Sequence, residues 1–185
     1  MVITGPSGVG KTSVVAGLAE RMPFHISVSM TTRPARPGEE DGVDYLFVDR
    51  EEFVEARAAG GLLEWAEYSD HLYGTPRAPV EKALTAGEDV LLDIEVLGAE
   101  QVKAAFPEAV LVFLEPPSLQ ELEARLRGRG DTDEEQIAQR LSLARWQMDR
   151  ARGLFDHFVG NDDLKQAIDQ VAGILTAPGT PGSPR

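Results

Sequence analysis

The chain has 185 residues, 42% of them apolar and 26% charged, a balance that suits one globular domain with a substantial core rather than a disordered or fibrous chain. Its formal net charge of −13 argues against a general nucleic-acid binder, which needs a basic footprint. No apolar run approaches the roughly 20 residues of a membrane span, no charged-then-apolar leader opens the chain, and the lack of cysteine excludes disulfides and thiolate metal sites; a cytoplasmic location is expected, with neither nucleic acid nor membrane as partner.

In chain order, Val2 to Thr4 reads as a short buried strand that runs into the glycine loop Gly5 to Gly10. A helix is predicted over 11–22, with Val14, Val15 and Leu18 inward. His25 to Ser29 is a second strand, and 31–42, rich in Arg, Pro, Gly and acids, is a loop. Tyr45 to Val48 is a short strand. Asp49 with Glu52 forms a capping box that starts a helix through Ala59, closed by Gly60 and Gly61. Leu62 to Tyr68 and His71 to Tyr73 form a small hairpin. A helix follows over 76–86. The near-continuous apolar run at 89–95 marks a buried parallel strand, then come a helix over 97–106 and another buried strand at 109–115. Ser118 with Glu121, and Thr132 with Glu135, cap two further helices, the second running to about Leu154. Leu119, Leu122 and Leu126 line a core face. Phe158-Val159 is a last short strand. Leu164, Ile168, Val171 and Leu175 recur at helical spacing, and the Pro/Gly-rich segment 177–185 is expected to be disordered.

Strands alternate with helices at both ends, so the expected class is α/β: a parallel sheet core with helices on both faces. The stretch 32–78, with short strands of antiparallel character, reads as an inserted mixed β/α lobe. The expected division is a single domain over 1–176, with the core at about 1–31, 79–124 and 150–176, the lobe at 32–78, a helical lid at about 125–149, and a tail. Seven of the fourteen arginines lie between Arg125 and Arg152; they serve as solvated helix surface, with a local anion site as the sharper reading.

Gly5, Gly10, Lys11 and Thr12 satisfy G-x-x-x-x-G-K-[ST] between a strand and a helix, the context that gives this motif its meaning. Backbone N–H groups of Gly5, Pro6's neighbours Ser7 and Gly8, Val9, Gly10 and on to Ser13 can turn inward around phosphate oxygens, helped by the positive end of the helix. Lys11 is expected to reach the terminal phosphates of a nucleotide and the Thr12 hydroxyl to ligate Mg²⁺. His25, His71 and His157 have no ligand spacing and are read as surface or strand residues; Trp65 and Trp146 are read as packing residues.

With the loop in place, "SVSMTTRPARPGEEDGVDY" (27–45), "LLEWAEYSDHLYGT" (62–75), "LLDIEVLGA" (91–99), "RLRGRGDTDEEQIAQRL" (125–141) and "NDDL" (161–164) resemble, in order and spacing, the guanylate kinase family. The resemblance runs from Val2 to about Leu175. It implies transfer of the γ-phosphoryl of ATP to GMP, or dGMP, by a P-loop core, a GMP-binding lobe and a lid. It implies that Arg33, Arg36, Tyr45 and Tyr73 hold the GMP phosphate. Glu64 matches the carboxylate that reads guanine, and Ser29 and Thr75 match hydroxyls around the purine. Asp93 matches an aspartate near the acceptor and the metal, touching the metal through water. Arg129 and Arg140 match lid arginines that close on the phosphates, with Arg125 a weaker candidate, and Asn161 lies where the family approaches adenine. Lys11, Arg129 and Arg140 are thus the expected catalytic group. The family commonly has aspartate where Glu95 stands, glutamine where Leu97 stands and glutamate where Gln147 stands. Three other readings stay open at this point: a related P-loop kinase acting on another nucleotide or small phosphate ester, a non-catalytic guanylate-kinase-like binding module, and a nucleotide-gated switch, which would leave the acceptor lobe without a purpose.

Overall fold

The computed structural model describes residues 1–68, 70–128 and 134–177. Two compact units emerge: Met1–Pro23 with the described residues from Glu108 onward, and Phe24–Pro107. The lobe expected at 32–78 lies wholly within the second.

The first unit is built on three parallel strands. β1 (Val2–Thr4) pairs with β8 (Leu111–Glu115), Ile3 opposite Val112, and β8 pairs with β9 (His157–Gly160), Phe113 opposite Phe158. Ile3 and Leu111 to Leu114 have no measurable exposure, as strands covered on both faces require. α1 (Lys11–Ala19) buries Val14, Val15 and Leu18, as its spacing predicts. It ends three residues before the expected Met22. The N–H groups of Arg21 and Met22 both fall back on the Leu18 carbonyl, a tightening forced by Pro23, which disfavours helical backbone just before it. α7 (Leu164–Thr176) lies alongside α1, tied by a 2.5 Å ion pair from Arg21 to Asp169. Its N-cap is Asp163, whose carboxylate accepts from the Gln166 N–H at 2.8 Å. α5 (Leu119–Gly128) and α6 (Glu134–Ala151) pack through Leu122, Leu126 and Ala144, with Leu119 and Leu141 partly buried at the margin. Ser118 caps α5 as read from sequence, accepting from the Glu121 N–H at 3.1 Å. Thr132, the expected cap of α6, and the tail 178–185 lie outside the described residues.

In the second unit, β2 (His25–Ile26) runs parallel to β7 (Val90–Asp93), His25 opposite Val90. The strand expected over 25–29 ends at Ile26. After Ser27 the chain leaves β7 and re-enters a four-stranded sheet as β3 (Met30–Thr31). That sheet has the order β4 (Leu46–Phe47), β3, β6 (His71–Pro76) and β5 (Leu62–Tyr68); β3 is parallel to β4 and antiparallel to β6, and β5 and β6 form an antiparallel hairpin. Asp70 turns the hairpin at φ 65°, where a short polar side chain tolerates left-handed backbone. A bulge lies between Leu62 and Glu64 on β5. α2 (Arg50–Ala58) is capped by Asp49, which accepts from the Glu52 N–H at 2.8 Å, and it inserts Phe53 between Leu62 and Leu72. α3 (Arg77–Thr85) and α4 (Val96–Ala105) complete the unit.

The two tryptophans correct the packing expectation. Trp65 and Trp146 are 37% and 43% exposed. Trp65 faces outward because β5 alternates and its neighbours Glu64 and Ala66 take the inner face; its ring is covered by the Arg57 guanidinium, 4.5 Å from the ring centre. Among the described residues no helix is long and apolar enough to cross a membrane.

Candidate active site

The glycine loop in the first unit bends as its composition demands. Gly8 and Gly10 have φ of 88° and 101°, backbone that side-chain-bearing residues rarely adopt. The Val9 N–H closes a turn onto the Pro6 carbonyl at 3.1 Å, with the Val9 side chain fully buried as an anchor. Gly10 then becomes the N-cap of α1, and the Val14 N–H meets its carbonyl at 3.2 Å. Lys11 folds back, its Nζ donating to the Gly5 carbonyl at 2.7 Å across the mouth of the loop. Thr12 and Ser13 are exposed. No acidic residue occupies the first turn of α1, so nothing there opposes an anion at the helix start.

Asn161, at the end of β9, braces this loop. Its Nδ2 donates to the Val9 carbonyl at 2.7 Å, and its own N–H meets the Glu115 carbonyl at 2.9 Å. Its amide nitrogen is therefore engaged by the loop. Arg125 reaches the same place, Nη1 donating to the Asn161 carbonyl at 3.1 Å. Arg140 is half-buried on α6, and Arg129 lies outside the described residues.

The second unit gathers the remaining candidates. Arg33 lies with its guanidinium 5.4 Å from the Tyr45 ring centre, and the Tyr45 and Tyr73 rings meet edge-on at 6.1 Å. Tyr45 has its phenol pKa raised, first by burial and then by the charge of Asp93, which brings Asp93 into the same cluster. Arg33 donates Nη2 to Glu39 at 2.8 Å, and the other Glu39 oxygen accepts from the Arg36 N–H at 2.8 Å. That pair lowers the pKa of Glu39 and raises that of Arg33, to which the Tyr73 hydroxyl also contributes. Sequence reading missed Glu39; it stands three residues after Arg36 at the head of the acidic run Glu39 to Asp41, where nothing marks it out from its acidic neighbours. Arg36 is exposed and Ser29 half-buried between β2 and β3.

Glu64 is set apart from this cluster by its surroundings. It is 4% exposed and accepts from the Thr75 hydroxyl at 2.6 Å. The bulge on β5 places it directly opposite Thr75, the kind of irregularity that re-aims a side chain. Burial pushes its pKa up to about 7; Thr75 opposes the shift through its hydroxyl and backbone, and the charge of Glu95 adds to it. A buried carboxylate with spare acceptor capacity is suited to a ligand that brings paired N–H donors.

A P-loop beside a helix start in one unit, and a basic-aromatic cluster with a buried carboxylate in the other, are the features of a nucleotide kinase of the P-loop class. The comparisons with known proteins agree. The guanylate kinase family model matches residues 1–178. A guanylate kinase of Thermus thermophilus is 58% identical over 176 residues, covering 95% of this chain and 80% of that protein. One from Synechococcus sp. strain JA-3-3Ab is 50% identical over 183 residues, covering 98% and 83%. The crystal structure of guanylate kinase from Anaplasma phagocytophilum superposes with a TM-score of 0.76 at 32% identity, over 94% of this chain and 82% of that one. The chain belongs to the guanylate kinase family, and it is a nucleotide-binding transferase of that family.

Proposed function

We propose how this chain carries out the ATP-dependent phosphorylation of GMP to GDP. The P-loop, Gly5 to Ser13, cradles the ATP phosphates with its backbone N–H groups, and Lys11 exchanges the Gly5 carbonyl for a phosphate oxygen. Arg33, Arg36, Tyr45 and Tyr73 hold the GMP phosphate, and Arg33 arrives already aligned by Glu39. Ser29 and Thr75 present hydroxyls to the purine. Glu64 accepts from guanine N1–H and N2–H₂, while adenine turns an N1 lone pair toward the same oxygens and is rejected. The attacking atom is a phosphate oxygen already ionised near neutral pH, so the chemistry needs alignment and charge neutralisation rather than a general base. Arg129 and Arg140 are assigned to that neutralisation. Lys11 opposes charge on the oxygens of the migrating group.

The donor set suits Mg²⁺ that arrives with its nucleotide. Thr12 offers one exposed hydroxyl beside the phosphate loop, and among the described residues no group of three or more His, Cys, Asp or Glu side chains could hold a metal by itself. Thr12 would be the direct ligand, the remaining positions falling to phosphate and water, as Mg²⁺ prefers. An ion held there would supply neutralisation of phosphate charge. Use of ATP as co-substrate fits a cytoplasmic enzyme.

The observation that carries the acceptor assignment is the buried Glu64 carboxylate held by the Thr75 hydroxyl. A coupled ADP-release assay with GMP, dGMP, AMP, CMP and UMP tests it. GMP should exceed AMP in kcat/KM by at least about 10³-fold, as a site built around ligand hydrogen bonds requires. Comparable turnover of AMP or UMP would defeat the assignment and favour a related kinase with another acceptor.

A further inference from the structure

Glu64 does not reach its position through β5 alone. α4 runs along β5, and two of its residues, one turn apart on the same face, meet the strand at Glu64 and its successor. The first is Gly98. Its bare Cα faces the Glu64 carboxylate so closely that an added Cβ would collide with Oε2 and sit 2.9 Å from Cδ. The second is Gln101. β5 is the edge of its sheet, so the outward backbone groups of Trp65 lack a strand partner. The Gln101 amide supplies one: Oε1 accepts from the Trp65 N–H at 3.2 Å, and Nε2 donates to the Trp65 carbonyl at 2.7 Å and to the Leu97 carbonyl of its own helix at 3.1 Å.

We propose that Gly98 and Gln101 are positioning residues for guanine recognition: Gln101 clamps the bulged strand at Trp65, and Gly98 gives the Glu64 carboxylate a seat that any side chain would fill. This inference rests on the reading of Glu64 as the guanine-binding carboxylate. The physical logic is that two parallel hydrogen bonds to N1 and N2 require both carboxylate oxygens in the plane of the base. A lone carboxylate on a flexible arm is free to rotate. Thr75 fixes Oε1, the wall at Gly98 limits where Oε2 can go, and the Gln101 clamp holds the backbone from which the arm extends. A protein with alanine at position 98 has to move either the helix or the carboxylate. A protein without the Gln101 amide leaves two backbone groups beside the site to compete for water.

The test uses the full chain in six forms: wild type, Gln101→Ala, Gly98→Ala, Glu64→Asp, Gly98→Ala with Glu64→Asp, and Glu64→Gln. Each is assayed for kcat, KM for GMP and KM for ATP, with IMP, which lacks the 2-amino group, as a second acceptor. Gln101→Ala should raise KM for GMP by about tenfold, the worth of one or two hydrogen bonds. Its kcat at saturating GMP and its KM for ATP should stay within about twofold. The preference for GMP over IMP should shrink, because a loosened carboxylate loses its grip on the second donor first. Gly98→Ala should do the same more strongly. Its loss of thermal stability should be partly restored by Glu64→Asp, which retracts the carboxylate by one methylene, so the double-mutant cycle is non-additive.

A Gln101→Ala enzyme with unchanged KM for GMP, or one whose KM values for GMP and ATP rise together, overturns the proposal. So does strict additivity between positions 98 and 64. Should Gly98→Ala fail to fold, Gln101→Ala, a substitution at a partly exposed site, still decides. Glu64→Gln separates the levels: if it handles GMP as the wild type does, the reading of Glu64 itself is wrong. If it loses GMP while Gln101→Ala does not, only the positioning roles fall.

Discussion

Replacing Glu64 by glutamine keeps the outline of the side chain and removes its ionisation, so its consequences can be worked out in both stability and binding. The carboxyl is moved from 4.5 to about 7, chiefly by burial. The folded protein therefore holds the proton more tightly than the unfolded chain does. The sign follows: the Glu64 contribution to stability is greatest below about pH 4.5 and is lost as pH rises toward 7, because only the unfolded chain ionises freely over that interval. At about 1.4 kcal/mol per pKa unit, the interval corresponds to about 3 kcal/mol. The glutamine variant escapes this loss while keeping an oxygen to accept from the Thr75 hydroxyl. Measured without nucleotide, its melting temperature should gain on the wild type between pH 4.5 and pH 8 by about 10 °C. GMP reverses the ranking. Its two donors require the ionised carboxylate, so KM for GMP in the wild type should improve as pH rises through about 7. The phosphate of GMP has its own ionisation near about 6, but that affects both proteins alike, and the difference between them isolates Glu64. Melting curves that run parallel for the two proteins across pH 4.5 to 8 would refute the burial of a titrating carboxyl at this position.

Lys11→Ala should lower kcat by at least about 10³-fold while leaving the GMP dissociation constant unchanged, since the ammonium acts on phosphate charge in the first unit; equal loss of both in calorimetry would deny that division of labour. Asn161→Ala leaves the Val9 carbonyl without its 2.7 Å donor and should cost about 1–3 kcal/mol in stability, with KM for ATP raised and KM for GMP untouched. Phe53→Ala empties the centre of the cluster with Leu62 and Leu72 and should destabilise by about 3–5 kcal/mol in denaturant melts.

What could be read from sequence was whatever is local. The N-caps at Asp49 and Ser118 form as written because each is a contact across three residues. The burial of Val14, Val15 and Leu18 follows from helical spacing, and the buried core strands β7 and β8 follow from continuous apolar runs. What escaped depends on residues far apart in the chain. Gln101 meets Trp65 across 36 positions, and Asn161 meets Val9 across 152; no window of sequence contains either pair. Gly98 carries no signal of its own, since a glycine inside a helix reads as a mild defect until the carboxylate against it is seen. The bulge that sets Glu64 opposite Thr75 was likewise invisible, because the pattern of β5 is ordinary and the extra residue shows only in its register with β6. The motifs of the P-loop and the 27–45 segment were legible because they are compact; the long-range contacts that brace the loop were not.

The most direct measurement is a crystal structure with GMP and a non-hydrolysable ATP analogue. Guanine N1 and N2 should lie within hydrogen-bonding distance, about 2.7–3.2 Å, of the two Glu64 oxygens, with the GMP phosphate between Arg33, Arg36, Tyr45 and Tyr73. A guanine ring seated elsewhere, with Glu64 still closed onto Thr75, would contradict the assignment of acceptor and of carboxylate together.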